Sequence, residues 1–187
     1  MNSSQQGGIV AGLRRLLGGG QRRRTAERLY AQAVERARRP ELYARMGVAD
    51  TPAGRYEMIA WQVLVQLAAL GDLGDDGRRL GQEIVDRMFL DMDRSLRELG
   101  VGDLSVGREM RKLGETWQAR TEIAERVFPP AGTAVSASAV AELDRFLQKN
   151  AGEESRVVDG AALAADLFAI LAELRGRPFP TLLAAEP

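Results

Sequence analysis

Neither cysteine nor histidine occurs among the 187 residues, and the two absences together remove a large part of enzyme chemistry. Without cysteine there is no disulfide, thiolate nucleophile, zinc–sulfur site or iron–sulfur cluster. Without histidine there is no imidazole base near neutral pH, no Ser-His-Asp triad and no axial histidine for haem. Aromatic residues are also scarce, at 5% against 45% hydrophobic residues in all. The core therefore has to be built from Leu, Val, Ile, Met and Ala, which suits helix packing better than a β-sandwich. No run reaches the roughly 18 apolar residues of a membrane-spanning helix. The segment from Ile9 to Leu17 is too short and too interrupted for the core of a signal peptide, and no clear cleavage site follows it.

Charge is present but unevenly spread. The 26 basic and 26 acidic side chains cancel, yet residues 1–48 hold ten arginines against three acids. The acid-free opening up to Arg24 has the composition of a mitochondrial transit peptide or of a disordered basic arm on a bacterial cytosolic protein, and we read it as the arm. Arg14, Arg15, Arg22, Arg23 and Arg24 are then candidates for contact with an anionic surface, lipid headgroups or RNA. The bland alternative is a solvated arm that keeps the chain soluble. A zero total charge argues against a dedicated DNA-binding domain. The expected organisation is a flexible basic arm over 1–24, one helical domain over 25–180 and a tail over 181–187.

Within that domain the apolar residues recur at helical spacing, and turn residues punctuate them. Leu29, Tyr30, Ala33, Val34 and Ala37 mark a first helix. Pro40 opens a short second one that Gly47 ends. Asp50-Thr51-Pro52 is a helix start, and Tyr56, Ile59, Ala60, Val63, Leu64, Leu67 and Leu70 make the helix after it apolar enough to be central. After a Gly/Asp loop, Leu80, Ile84, Met88, Met92, Leu96 and Leu99 predict a long helix closed by Gly100 in a left-handed turn. Ser105 is the expected cap of the next helix, with Met110, Leu113, Trp117, Ala124 and Phe128 as its stripe and Pro129-Pro130 as its stop. Val140, Leu143, Phe146 and Leu147 mark a further helix. Asp159 is the expected cap of the last one, which runs through Leu163, Leu167, Ile170, Leu171 and Leu174. No strand pattern and no repeat is evident. The expected fold class is all-α, an irregular bundle of about seven helices.

The motifs that invite chemistry fail on inspection. The Gly-rich run from Gly100 to Gly107 lacks the Lys-Ser/Thr of a phosphate loop and no strand leads into it. Asp72, Asp75 and Asp76 lack the rest of a calcium-loop pattern. No catalytic residue, metal ligand or cofactor is therefore assigned. An enzyme built on carboxylates alone ranks last among the functional readings.

Two segments carry a resemblance. The first runs Arg39-Pro40-Glu41-Leu42-Tyr43 and continues from Gly47 through Asp50-Thr51-Pro52-Ala53-Gly54-Arg55-Tyr56-Glu57-Met58. The second runs Leu96-Arg97-Glu98-Leu99-Gly100-Val101-Gly102-Asp103-Leu104-Ser105-Val106-Gly107-Arg108-Glu109-Met110-Arg111-Lys112-Leu113 and is the more specific. In order, spacing and context they resemble the ubiquinol–cytochrome c chaperone family over roughly residues 25 to 130. The chain departs from the family pattern at Trp61-Gln62, where a Leu-His pair is common, and at Trp117-Gln118-Ala119-Arg120, where an aromatic-Gly-Arg element is. The resemblance implies a non-enzymatic chaperone that binds newly synthesised cytochrome b and promotes assembly of the cytochrome bc1 complex. It implies work beside a small helical partner protein near the ribosomal exit. The expected location is cytoplasmic and peripheral to the inner membrane in a bacterium, or the matrix side in a mitochondrion. An apolar client needs an apolar groove rimmed by charge. Tyr43, Tyr56, Met58, Met110 and Trp117 are the candidate lining residues, and Asp50, Arg55 and Asp103 are candidate braces of the surrounding turns, because all eight lie in or near the two segments. The competing reading is a ribosome- or membrane-associated adaptor that uses the basic arm and has no dedicated client.

Overall fold

The apolar stripes resolve into helices wrapped around one that is buried on every side. The structure, a computed structural model, describes residues 19–152 and 157–177. Among these residues it contains seven α-helices and no strand: α1 (Gly19–Ala37), α2 (Pro40–Ala44), α3 (Pro52–Gly71), α4 (Asp75–Glu98), α5 (Asp103–Val127), α6 (Ala137–Asn150) and α7 (Gly160–Gly176). The all-α bundle read from the sequence is the fold observed. Residues 1–18 of the expected arm, with Arg14 and Arg15, and the expected tail lie outside the described residues.

The central element is α3. Thr51 caps it, its Oγ1 accepting from the Gly54 amide at 3.2 Å, and Pro52 fills the first helical position, where no N–H is needed. Every residue from Tyr56 to Gln66 is buried, the signature of a helix enclosed on all sides. It packs against α1, α4, α5 and α7. Trp61, fully buried, meets Phe128 and Phe146 edge-on with ring centroids 6.2 and 5.6 Å apart. Such contacts add to the stabilisation from buried area.

Three boundaries differ from expectation. The first helix begins at Gly19, ahead of Thr25, so Arg22, Arg23 and Arg24 stand on a helix and not on a flexible arm. Ion pairs support this extra turn and a half: Arg22 lies 3.4 Å from Glu83 of α4 and Arg23 lies 3.5 Å from Glu27 one turn on. The helix α4 begins at Asp75, inside the expected Gly/Asp loop, with two acids in its first turn facing the positive end of the helix dipole. The helix α5 begins at Asp103 and not after Ser105. Gly102 is extended, and its carbonyl already accepts from the Ser105 and Val106 amides at 2.7 and 3.1 Å. Between α4 and α5, Gly100 takes φ +79°, and the Val101 amide donates back to the Leu96 carbonyl at 3.1 Å, the left-handed closure that glycine favours.

The pair α4–α5 is covered unevenly. The buried residues of α4 end at Met88. Those of α5 are Val106 near its start and then Arg120, Ala124 and Val127 in its last turns. The outer half of this hairpin thus extends past the shared core.

Candidate functional site

The segment between α2 and α3 is held from both sides. The Ala49 amide donates to the Ala151 carbonyl, and the Asp159 amide donates to the Met46 carbonyl, both at 2.9 Å. Gly47 adopts φ +79°, and a Cβ there would run into the Val157 carbonyl. These constraints place Asp50 and the start of α3 beside α2. An open depression forms there, lined by Arg38, Pro40, Tyr43, Ala44, Asp50 and Arg55. Tyr43 donates its hydroxyl to the Ala37 carbonyl at 2.7 Å, and burial holds its phenol above the ordinary range. Arg55 donates to Asp50 at 2.7 Å, and that bond holds the exposed Asp50 carboxyl below the usual carboxylate range.

A second candidate surface is the outer half of the α4–α5 hairpin. Leu104 is fully exposed, Leu99 is 66% exposed and Leu90 is 56% exposed. Met92, Leu96, Met110, Leu113 and Trp117 are half-buried. Phe89 and Trp117 meet edge-on at 6.1 Å and brace the two helices where the core ends. Asp103 stands at the turn with Arg97, which donates to it at 2.6 Å and to Asp93 at 2.8 Å. The result is an apolar tip with ion pairs beside it.

The eight residues expected at one groove are therefore divided. Tyr43, Asp50 and Arg55 share the depression. Asp103, Met110 and Trp117 lie on the hairpin. Tyr56 is 7% exposed and ties α3 to α5, its hydroxyl donating to the Leu113 carbonyl at 3.1 Å. Met58 is 2% exposed and belongs to the core, so it offers no surface to a client. The reason is the enclosure of α3: a helix covered on all sides has no groove-facing stripe.

What the sequence reading missed is a buried charge pair. Glu57 and Arg120 are 1% and 6% exposed and form an ion pair between α3 and α5. Arg120 donates through Nε to Glu57 Oε2 at 3.0 Å and through Nη1 to the Thr116 carbonyl at 2.5 Å. Trp61 Nε1 donates to Glu57 Oε1 at 2.8 Å. The guanidinium also stacks over Tyr56 and Phe146, 5.5 and 5.7 Å from the ring centroids. The signal was present: Arg120 stands between Trp117 and Ala124 on the apolar stripe of α5, and Glu57 lies one turn before Trp61.

Of the basic cluster, Arg22 and Arg23 are engaged with Glu83 and Glu27, and Arg24 is exposed. No helix among the described residues is long and apolar enough to cross a membrane, and their Asp and Glu side chains form no group that could hold a metal ion.

The ubiquinol-cytochrome c chaperone family model matches residues 44–187. The chain belongs to that family. A solved structure described as the Cbp3 homolog from Brucella abortus is 30% identical, with a TM-score of 0.69 over 86% of this chain and 85% of that one. No curated protein matches the chain. The family match takes in the whole of the hairpin segment and the first segment from Gly47 onward. Tyr43 lies one residue outside it. In this ubiquinol-cytochrome c chaperone family member the hairpin surface falls within the matched residues, and the depression straddles their start, with Arg38, Pro40 and Tyr43 before it and Ala44, Asp50 and Arg55 inside it.

Proposed function

We propose that the chain is an assembly chaperone of the ubiquinol–cytochrome c reductase (bc1) complex that binds newly synthesised cytochrome b and performs no covalent chemistry of its own. The observation that carries this reading is the hairpin tip, where Leu99 and Leu104 stand in water within the family-like segment. Exposed leucines cost solubility unless a partner covers them. A nascent membrane segment presents the matching surface: apolar side chains that aggregate in water before insertion. Val101 between them is half-buried, as are Met110 and Leu113 on other faces of α5, and methionine adapts to irregular apolar partners. The Asp93–Arg97–Asp103 cluster limits the patch at one edge and disfavours self-association. The depression at Tyr43, Asp50 and Arg55 is a second, more polar contact area, fit for the client's loops or for a small helical partner protein.

The test is site-specific photocrosslinking from position 104 and, separately, position 43 in cells that produce cytochrome b. Cytochrome b is expected among the products from position 104. Leu104→Asp and Leu99→Asp are expected to lower client capture at least tenfold and leave thermal unfolding unchanged, because neither side chain is buried. Capture that survives both changes but is lost on removing residues 1–18 would favour the arm-based adaptor at the ribosome or membrane.

A further inference from the structure

The outer side of α1 carries an excess of positive charge. Arg24, Arg28, Ala31 and Glu35 on the helix and Arg38 just past its end are all exposed. They follow at steps of four and three, so they share one side. Ala26, Leu29, Tyr30, Ala33 and Ala37 are buried and fix the opposite side to the body, so the stripe is held facing outward. With Arg23, the exposed charges from Gly19 to Arg38 are four arginines and one glutamate.

The other two long surface helices are balanced. On α4 four exposed arginines meet three exposed acids, and on α5 four exposed basic side chains meet four acids. Each exposed arginine of α4 is also engaged by a neighbour: Arg78 by Asp75, Arg79 by Asp76, Arg94 by Glu98, and Arg97 by Asp93 and Asp103. Arg24 and Arg38 form no ion pair among the described residues. Arg23 has the exposed Glu27 at 3.5 Å, a contact of little strength. The first turn of α1 also lacks an acid, although the positive end of a helix dipole favours one. Helix stability does not account for this row of cations, and an anionic partner does.

The sequence separates a lipid partner from a nucleic acid. Single-stranded bases are held by stacking on aromatic side chains, and the first aromatic residue of the chain is Tyr30, which is buried. The chain ahead of α1 instead sets Arg14 and Arg15 among Leu13, Leu16 and Leu17, apolar side chains of the kind that enter a headgroup layer.

We propose that the outer stripe of α1, with Arg24, Arg28 and Arg38, rests on an anionic phospholipid surface, the guanidinium groups donating to headgroup phosphates. This contact is separate from the hairpin tip and does not depend on the client.

Co-sedimentation of the full chain with lipid vesicles tests the contact. Binding is expected to vesicles of phosphatidylcholine and phosphatidylglycerol in equal parts, to weaken as salt is raised, and to be absent from pure phosphatidylcholine. That comparison needs no variant. Each arginine beside such a surface contributes about a fivefold factor in partitioning. Arg24→Gln combined with Arg38→Gln is therefore expected to lower binding on the order of twentyfold, while Arg24→Lys with Arg38→Lys keeps most of it. Both positions are exposed, so thermal unfolding is expected to be unchanged in all these variants. Equal binding to the two kinds of vesicle, or binding to neither, would overturn the proposal. Undiminished binding by the glutamine variant would overturn it too and give the contact to residues 1–18. Tighter binding of a single-stranded RNA than of the mixed vesicles at the same salt would overturn it in favour of nucleic acid.

Discussion

Glu57 and Arg120 show how a charge pair is tolerated in an aliphatic core. Taking two ions out of water costs several kcal/mol each, about as much as their mutual attraction returns. The balance here depends on the remaining hydrogen bonds, and they are made: Trp61 and Arg120 supply donors to Glu57, and the Thr116 carbonyl takes one from Arg120. The pair therefore tolerates loss of one member badly. Arg120→Leu is expected to destabilise the chain by about 3–5 kcal/mol, because it leaves an uncompensated carboxylate behind. Glu57→Met combined with Arg120→Leu is expected to destabilise less than Arg120→Leu alone. Urea unfolding of the two single variants and the double variant checks both statements, and additive losses would contradict the coupling. The pair was hidden in the sequence because each member reads locally as an ordinary surface charge. Only their positions on two apolar stripes hint that they meet.

At the scale of the element, the helix ends were legible where a single residue has one conformational use. Thr51-Pro52 starts α3, Gly100 closes α4, Asp159 caps α7 by accepting from the Ala162 amide at 2.9 Å, and Pro129-Pro130 follow α5. The starts of α1, α4 and α5 were read late, because an ion pair to a distant helix or an extended glycine leaves little mark on local composition. Two glycines of equal φ separate conformational from steric demands. Gly100 has open space where a Cβ would go, whereas the one at Gly47 would strike the Val157 carbonyl. Gly100→Ala is expected to cost about 1 kcal/mol, the left-handed strain alone. Gly47→Ala is expected to cost well beyond that and to displace the segment that carries Asp50. Equal denaturation midpoints for the two variants would rule out the steric contribution at Gly47.

Across the whole molecule, the bundle was foreseeable because one segment, Tyr56 to Gln66, is apolar enough to sit inside all the others. The candidate surfaces were foreseeable only in part. Resemblance places functional weight on a segment, not on a face, and within Arg55-Tyr56-Glu57-Met58 one side chain reaches water while the other three are enclosed. The hairpin was marked out by its motif, yet its exposure follows from where the neighbouring helices stop. Burial on α4 ends at Met88, and on α5 it resumes fully only at Arg120. Backbone amides from about residue 90 to residue 115 are accordingly expected to exchange with deuterated solvent well before those of α3, since they open without breaching the core. Simultaneous exchange of both regions would speak against this.

That asymmetry makes α4 and α5 a lever pinned at one end. The Phe89–Trp117 contact and the Glu57–Arg120 bond hold its base, the Tyr30–Asp91 and Tyr56–Leu113 hydrogen bonds tie it to α1 and α3, and Leu99 and Leu104 beyond them stand outside the core. Under the chaperone role proposed above, that apolar turn meets the client at one end of the molecule while the enclosed helix α3 anchors the other helices beneath it.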